Sequence, residues 1–293
     1  MRNFKIVLQY EGTRYKGWQK QGGTNAGRRE DAESSDSSFL ETNAKEYTIQ
    51  GKLERLLSRI AGEPVEIHGS GRTDAGVHAY GQVASFHMDT KLTAEALMEK
   101  INSYLPEDIA VISIEEVPDR FHARLGAKGK TYRYRVLNSS VPHIFERRYV
   151  WQVPEKLDVQ AMCKAASYLE GTHDFKAFTS TKKGKKSTVR TIEAIEIVRC
   201  GDEIHFTFRG NGFLFHMVRI LMGTLIETGK KNRRPEEMPA ILESGLRENA
   251  GSCLWTGADG SKLLIRCLAG AHRGREDIIC RNKNGKTSAG LFF

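Results

Sequence analysis

The sequence predicts an α+β fold made of two similar βαββαβ units. Three observations carry that prediction. Short runs of β-formers alternate with amphipathic helical patterns, so neither element type dominates. The first 120 residues read strand, helix, strand, strand, helix, strand, the split-βαβ order. The second half repeats most of that order, and a repeated order argues for paired units more strongly than either half alone.

Phe4 to Tyr10 is rich in β-formers and reads as the first strand, ended by Glu11-Gly12-Thr13. The stretch 21–46 is polar, rich in Gly, Ser, Asp and Glu, and nearly devoid of large apolar residues. Such a segment buries too little surface to offset its ordering entropy, so it reads as an insertion or loop. Order resumes at Thr48, a helix N-cap by type. Leu53, Leu56, Leu57 and Ile60 then fall at i, i+3, i+4 and i+7 of a helix. Val65 to His68 and Gln82 to His87 read as strands. Thr93 caps a second helix with Ala94, Leu97, Ile101 and Leu105 on one face, stopped by Pro106. Ile109 to Val117 closes the first unit, residues 1–120.

The second unit, 121–293, opens with a strand at Thr131 to Leu137. A helix follows from Asp158 to Leu169, closed by Gly171. Two strands, Val189 to Arg199 and Glu203 to Arg209, join at Cys200-Gly201-Asp202. Phe213 to Thr228 is a long apolar helix closed by Gly229. A sixth strand must come from the tail 252–293, either Lys262 to Leu268 or Leu291 to Phe293.

Bulk properties narrow the function. A chain of 293 residues fits one large or two medium domains. Its formal charge of +9 favours an anionic partner, nucleic acid first among them. No apolar run is long enough to span a membrane. Five scattered cysteines, odd in number and without a C-x-x-C pair, point to reduced thiols in a cytoplasm and away from a zinc site. The sequence has no G-x-x-x-x-G-K-[ST] and no G-x-G-x-x-G, which argues against a nucleotide cofactor and a phosphotransferase.

One stretch concentrates chemistry: Gly69-Ser-Gly-Arg-Thr-Asp-Ala-Gly-Val-His-Ala79. Arg72, Asp74 and His78 lie within seven residues, among glycines that let a backbone approach a ligand. An arginine nearby holds a carboxylate charged, and an oriented carboxylate serves as nucleophile or base. The same residues also fit a plain turn in which Asp74 caps backbone amides. Arg219 sits in an apolar run and calls for a carboxylate partner such as Asp74, or else reaches water at the helix edge. Lys130-Thr-Tyr-Arg-Tyr-Arg135 alternates so that Tyr132 and Tyr134 share one face and Arg133 and Arg135 the other. Sheet-based RNA binders stack bases and hold phosphates with such strands, though a half-buried edge strand reads the same way. Tyr15 to Gln19 offers Trp18 beside Lys16 and Gln19, suited to stacking or to core packing. Two lysine-rich stretches, 182–186 and 230–234, are further phosphate candidates. His173-Asp174 has no metal-ligand spacing around it.

Taken together, these segments resemble the tRNA pseudouridine synthase family of the TruA type, which acts on the anticodon stem-loop. The resemblance runs through Tyr10-Glu-Gly-Thr13, Gly17-Trp-Gln19, Ile49-Gln-Gly51, the Gly69–Ala79 string, Phe121-His-Ala-Arg124, Lys130 to Tyr134, His173-Asp-Phe175 with Ala177-Phe178, and Phe215-His-Met-Val-Arg219. It covers roughly residues 1 to 250, the polar insertion excepted. It implies two ferredoxin-like domains sharing an extended antiparallel sheet with a central basic cleft. It also implies a homodimer, no cofactor and no metal. The implied reaction turns uridine into pseudouridine at tRNA positions 38 to 40.

Asp74 matches the family's catalytic aspartate, Arg219 its ion-pair partner, and Arg72 the arginine that helps extrude the uridine. Tyr132 matches the tyrosine that stacks on the target base. Lys130, Trp18, Gln19, His78 and Phe178, in the matching segments, join it as expected substrate-binding residues. The insertion 21–46 and the tail after Gly251 depart from the family pattern. That departure leaves a non-catalytic RNA-binding protein of the same fold as the alternative reading.

Overall fold

The computed structural model describes residues 1–20, 47–181 and 187–252, together with the backbone of 263–269. The polar stretch 21–46, the lysine loop 182–186 and residues 291–293 lie outside the described residues.

The first half holds β1 (Arg2–Tyr10), α1 (Ile49–Ala61), β2 (Ile67–Gly69), β3 (His78–Met88), α2 (Ala94–Tyr104) and β4 (Ile109–Val117). The second holds β5 (Ala127–Leu137), β6 (Trp151–Gln152), α3 (Val159–Ser167), β7 (Gly171–Asp174), β8 (Val189–Cys200), β9 (Glu203–Gly210), α4 (Met217–Gly229), α5 (Met238–Ser244) and β10 (Leu263–Ala269). The strands form one ten-stranded sheet in the order β4-β1-β3-β10-β5-β9-β8-β7, with β2 on β3 and β6 on β5.

The helix caps are those the residue types dictate. Thr48 Oγ1 accepts from Gly51 N–H at 3.2 Å, Thr93 Oγ1 from Ala96 N–H at 3.2 Å, and Asp158 Oδ1 from Ala161 N–H at 3.0 Å. Each satisfies a backbone donor that the first helical turn leaves open, worth about 1 kcal/mol.

The largest departure from expectation is the join between the halves. β10 pairs antiparallel with β5 but parallel with β3, at His78, Ala79 and Gly81. The β5–β6 pairing is parallel as well. The sheet is therefore not antiparallel throughout. The join also explains why β3 starts at His78 and not at Gln82. Its first residues are held by β10, while β2 covers its Ala84–Phe86 end. A partner almost two hundred residues away leaves no local pattern. β10 corresponds to the Lys262–Leu268 option for the sixth strand, shifted by one residue. The short strands β6 and β7 have too few residues to show a period, and the sequence reading passes over both.

Two large cores and a small cluster of Val83 and Ala123 pack on the sheet. One packs Phe4, Ile6, Leu8 and Phe86 against Ile49, Leu53 and Leu57 of α1 and Leu97 and Ile101 of α2. The other packs Phe206 and Phe208 against α3 and α4. Val77, just before β3, belongs to this second core although its chain neighbours lie in the first half. At about 25 cal/mol per Å2 of apolar surface, one buried valine contributes roughly 1.5–3 kcal/mol, enough to seat the preceding loop.

Candidate active site

The site begins with the connection 70–77 between β2 and β3. Its start is bonded to the sheet twice: Ser70 N–H donates to Val83 O at 2.8 Å, and Gln82 Nε2 donates to Gly71 O at 2.7 Å. The 12–18 turn supports its middle. Trp18 N–H donates to Thr73 O at 3.0 Å, Gly76 N–H donates to Tyr15 O at 3.1 Å, and the Tyr10 and Thr73 hydroxyls meet at 3.0 Å. Gly17 makes this contact close enough. Its φ is +91°, and a Cβ there would lie 2.3 Å from Thr73 O.

Asp74 projects from that loop, its side chain about one-third exposed, toward the start of α4. Arg219 Nη2 lies 3.4 Å from Asp74 Oδ2, and Arg219 is buried. His216 Nε2 lies 3.8 Å from the same oxygen. A helix N-terminus carries partial positive charge, so a carboxylate beside the first turn of α4 is stabilised twice, by the guanidinium and by the helix. The helix itself begins four residues later than its apolar pattern suggests. His216 sits at φ +60° in the left-handed region and ends the turn 213–216. That uncommon backbone swings His216 toward Asp74. Burial lowers the His216 pKa, with Arg219 and Arg247 adding to the effect and Asp74 opposing it. The sequence reading passes over His216 as a site residue; its only signal is its place in the Phe215–Arg219 string.

Tyr132 lies on β5, opposite Phe208 of β9 and half-buried. Its ring meets Phe213 edge-on at 4.9 Å. Phe213 belongs to the turn that carries His216, so one contact links the β5 tyrosine to the Asp74 cluster. Lys130 shares the Tyr132 face of the strand.

Other expected residues have different surroundings. Arg72 does not pair with Asp74; it is exposed and lines a hollow with Gln19, His68, His122 and Arg124. His78 is buried and structural: its Nδ1 accepts from Gly12 N–H at 3.0 Å and its ring packs on Tyr149. Trp18 is buried against Gly69 and near Tyr10, so its ring serves the core. Phe178 is fully buried against Phe175 and touches no surface a substrate could reach. Arg135 is spent on Glu203, at 2.8 and 2.7 Å, and on Glu146, which push its pKa up. The basic face of β5 is thus partly neutralised. Lys230 pairs with Glu155 and Arg233 with Glu227, which accounts for much of the 230–234 cluster. Asp174 accepts from Lys176 N–H and the Thr188 hydroxyl, closing a turn. Among the described residues, no group of three His, Cys, Asp or Glu side chains is placed to hold a metal ion.

A family model described as tRNA pseudouridine synthase matches residues 6–125 and 165–256. The chain belongs to that family. Relatives named tRNA pseudouridine synthase A agree across nearly the whole length. One from Bacillus sp. (strain KSM-64) is 43% identical over 257 residues, covering 88% of this chain and 97% of its own. One from Clostridium tetani is 42% identical, covering 87% and 95%. Among solved structures, a Cbf5-Nop10-Gar1 complex overlaps 73% of this chain and 43% of its own at a TM-score of 0.32 and 14% identity, too distant to inform the fold. Asp74, His216 and Arg219 fall within the segments the family model matches, and Tyr132 lies between its two spans. No helix among the described residues is long and apolar enough to cross a membrane.

Proposed function

We propose that this chain converts uridine to pseudouridine in the anticodon stem-loop of tRNA, with the Asp74 carboxylate acting on the ribose. One observation carries the reading: a carboxylate from the first half meets a buried guanidinium from the second at 3.4 Å. The strand orders β4-β1-β3-β2 and β10-β5-β9-β8 support two ferredoxin-like halves, with the substrate in a cleft between them.

The reaction is an isomerisation. The C1′–N1 bond breaks, the uracil turns, C1′ bonds to C5, the C5 proton leaves and N1 gains one. Atoms and electrons balance without an added reactant. Asp74 serves at C1′ as nucleophile or at C2′–H as base. Arg219, buried beside it, orients the carboxylate, whose negative charge faces the positive charge developing on the sugar. His216, with its depressed pKa, stays neutral near pH 7 and does not compete for the carboxylate as a second cation. Tyr132, braced by Phe213, offers a ring face on which the freed base is kept during its turn. The target must first leave its stack, at a cost of a few kcal/mol. Exposed Arg72, two residues before Asp74, is placed to act on the RNA as it opens.

The test is tritium release from tRNA labelled at C5 of uridine. Wild-type protein releases tritium and Asp74→Asn does not. Undiminished release by Asp74→Asn overturns the assignment. Salt-sensitive tRNA binding by wild type without any release identifies a binding protein of the same fold. A homodimer in the cytoplasm, as the family resemblance implies, completes the proposal; sedimentation reads the first part.

A further inference from the structure

A second cationic site stands apart from Asp74. Arg72 and Arg124 line one hollow with His68, His122, Gln19 and Gln50. Both arginines are exposed, and among the described residues neither pairs with a carboxylate. This sets them apart from Arg135, Arg233 and Lys230, each matched to a glutamate. The two side chains border the same hollow, and burial first and the charge of Arg124 second lower the Arg72 pKa. Two like charges converging without a counter-ion form an arrangement that an anion stabilises.

The wall is built to donate. His122 Nδ1 accepts from Arg124 N–H at 3.1 Å, which leaves the ring proton on Nε2. The His122 ring stacks on His68 at 4.9 Å, and burial, then His68, lower its pKa. The floor is fixed as well. Gln50 accepts from Lys20 N–H and donates to Glu54 and to Ile67 O, joining α1, β2 and the 18–20 turn. The hollow therefore has donors on several sides and a rigid base. Its position matters: Arg72 and Asp74 are two residues apart, at most about 7 Å along the backbone.

We propose that this hollow is a phosphate subsite for the RNA strand, in which Arg72, Arg124 and the His122 Nε2–H hold one phosphodiester next to the nucleotide presented to Asp74. The proposal rests on the tRNA reading above. It adds a fixed point by which the loop registers the strand before the target base leaves its stack. Guanidinium forks suit a phosphate's oxygens, and such contacts position a chain without reading its bases.

The probe is a uridine-free anticodon-arm stem-loop, titrated against wild type, Arg72→Gln, Arg124→Gln and the double variant across a salt series. Both arginines are exposed, so the variants fold. Each single variant binds about tenfold more weakly, the worth of a charge-assisted contact. The double variant's log–log salt slope is shallower by about one, because one shared phosphate is lost. Methylphosphonate replacing that one phosphate weakens wild-type binding and leaves the double variant unaffected. Unchanged affinity and slope in the double variant, with wild type still converting uridine in tRNA, overturns the subsite and leaves the enzyme intact. A slope change of two overturns the shared phosphate in favour of separate contacts. If wild type neither binds RNA nor releases tritium, the functional reading falls and the subsite with it.

Discussion

The connections β2–β3 and β8–β9 occupy the same place in the two halves and could hardly differ more. The β8–β9 connection is Gly201 and Asp202, a tight turn whose neighbours simply continue the ladder from Cys200 to Glu203. The β2–β3 connection spans 70–77, is held by the 12–18 turn, and carries Arg72 and Asp74. The helices that follow differ in the opposite sense. α2 buries Leu97 and Ile101 and is otherwise a surface helix. α4 is buried at every residue but Glu227 and brings Arg219 with it. One half has elaborated a loop and the other a helix start, and the site exists only where the two meet. On the proposed reading, a repeated architecture supplies the frame, and its two copies supply the two members of the Asp74–Arg219 pair.

Substitutions test that division, the strongest first. Asp74→Asn lowers turnover by roughly 10^3-fold or more, the scale of losing an acting carboxylate, measured by tritium release. It also leaves Arg219 without its carboxylate, so thermal stability falls, by less than the roughly 3–5 kcal/mol of a fully buried pair, because Asp74 is partly solvated. Arg219→Met separates the two effects. An apolar side chain of similar length suits the surroundings of α4, so the melting temperature changes little while activity drops by about 10^2-fold or more. If Arg219→Met keeps full activity, α4 has no part in the site.

Gly17→Ala and Gly201→Ala sharpen the same contrast. The first drives a methyl group into Thr73 O at a left-handed φ, costing about 1–3 kcal/mol and displacing the loop, so activity falls with stability. The second, at φ +59° with nothing within 4 Å, costs about 1–2 kcal/mol and leaves activity per folded molecule unchanged. Equal effects of both on turnover would show that the two connections are not functionally distinct.

The smallest effect is that of pH. His216 and His122 both have pKa values lowered by burial. The unfolded chain binds these protons more readily, so their stability contribution is complete above about pH 6.5 and declines as pH falls toward the lowered values. Melting temperature should drop by a few degrees between pH 7.5 and 5.5, and His216→Gln with His122→Gln should flatten that slope. The paired glutamates Glu116, Glu155, Glu203 and Glu236 have lowered pKa values and act in a separate window, below the ordinary carboxylate range.

Whatever is local was legible in the sequence. The caps Thr48 and Thr93 follow from residue type, and the amphipathic faces of α1 and α2 from spacing. Asp74 stood out because its loop is contiguous, and Arg219 because a charge in an apolar run demands a partner. What escaped is set by distant partners. Arg72 is near Asp74 in sequence, yet its side chain faces Arg124. Phe178 reads as a substrate contact beside His173-Asp174, but Phe175 and the second core enclose it. The apolar run before α4 hides the left-handed residue that ends the turn at His216. The lysines and arginines of 230–234 look free only until Glu155, Glu227 and Glu237 fold back upon them.

β10 lies later in the chain than every other strand described, yet it is the clasp between the two halves. A ribosome must therefore deliver Leu263–Ala269 before the edges of β3 and β5 are closed, and until then the carboxylate and the guanidinium are held together by side-chain contacts, such as Val77 in the second core and His78 on Tyr149, without that ladder. A product that stops short of Leu263 would keep every residue of the Asp74 cluster and still lack the backbone ladder that keeps its two sources in register.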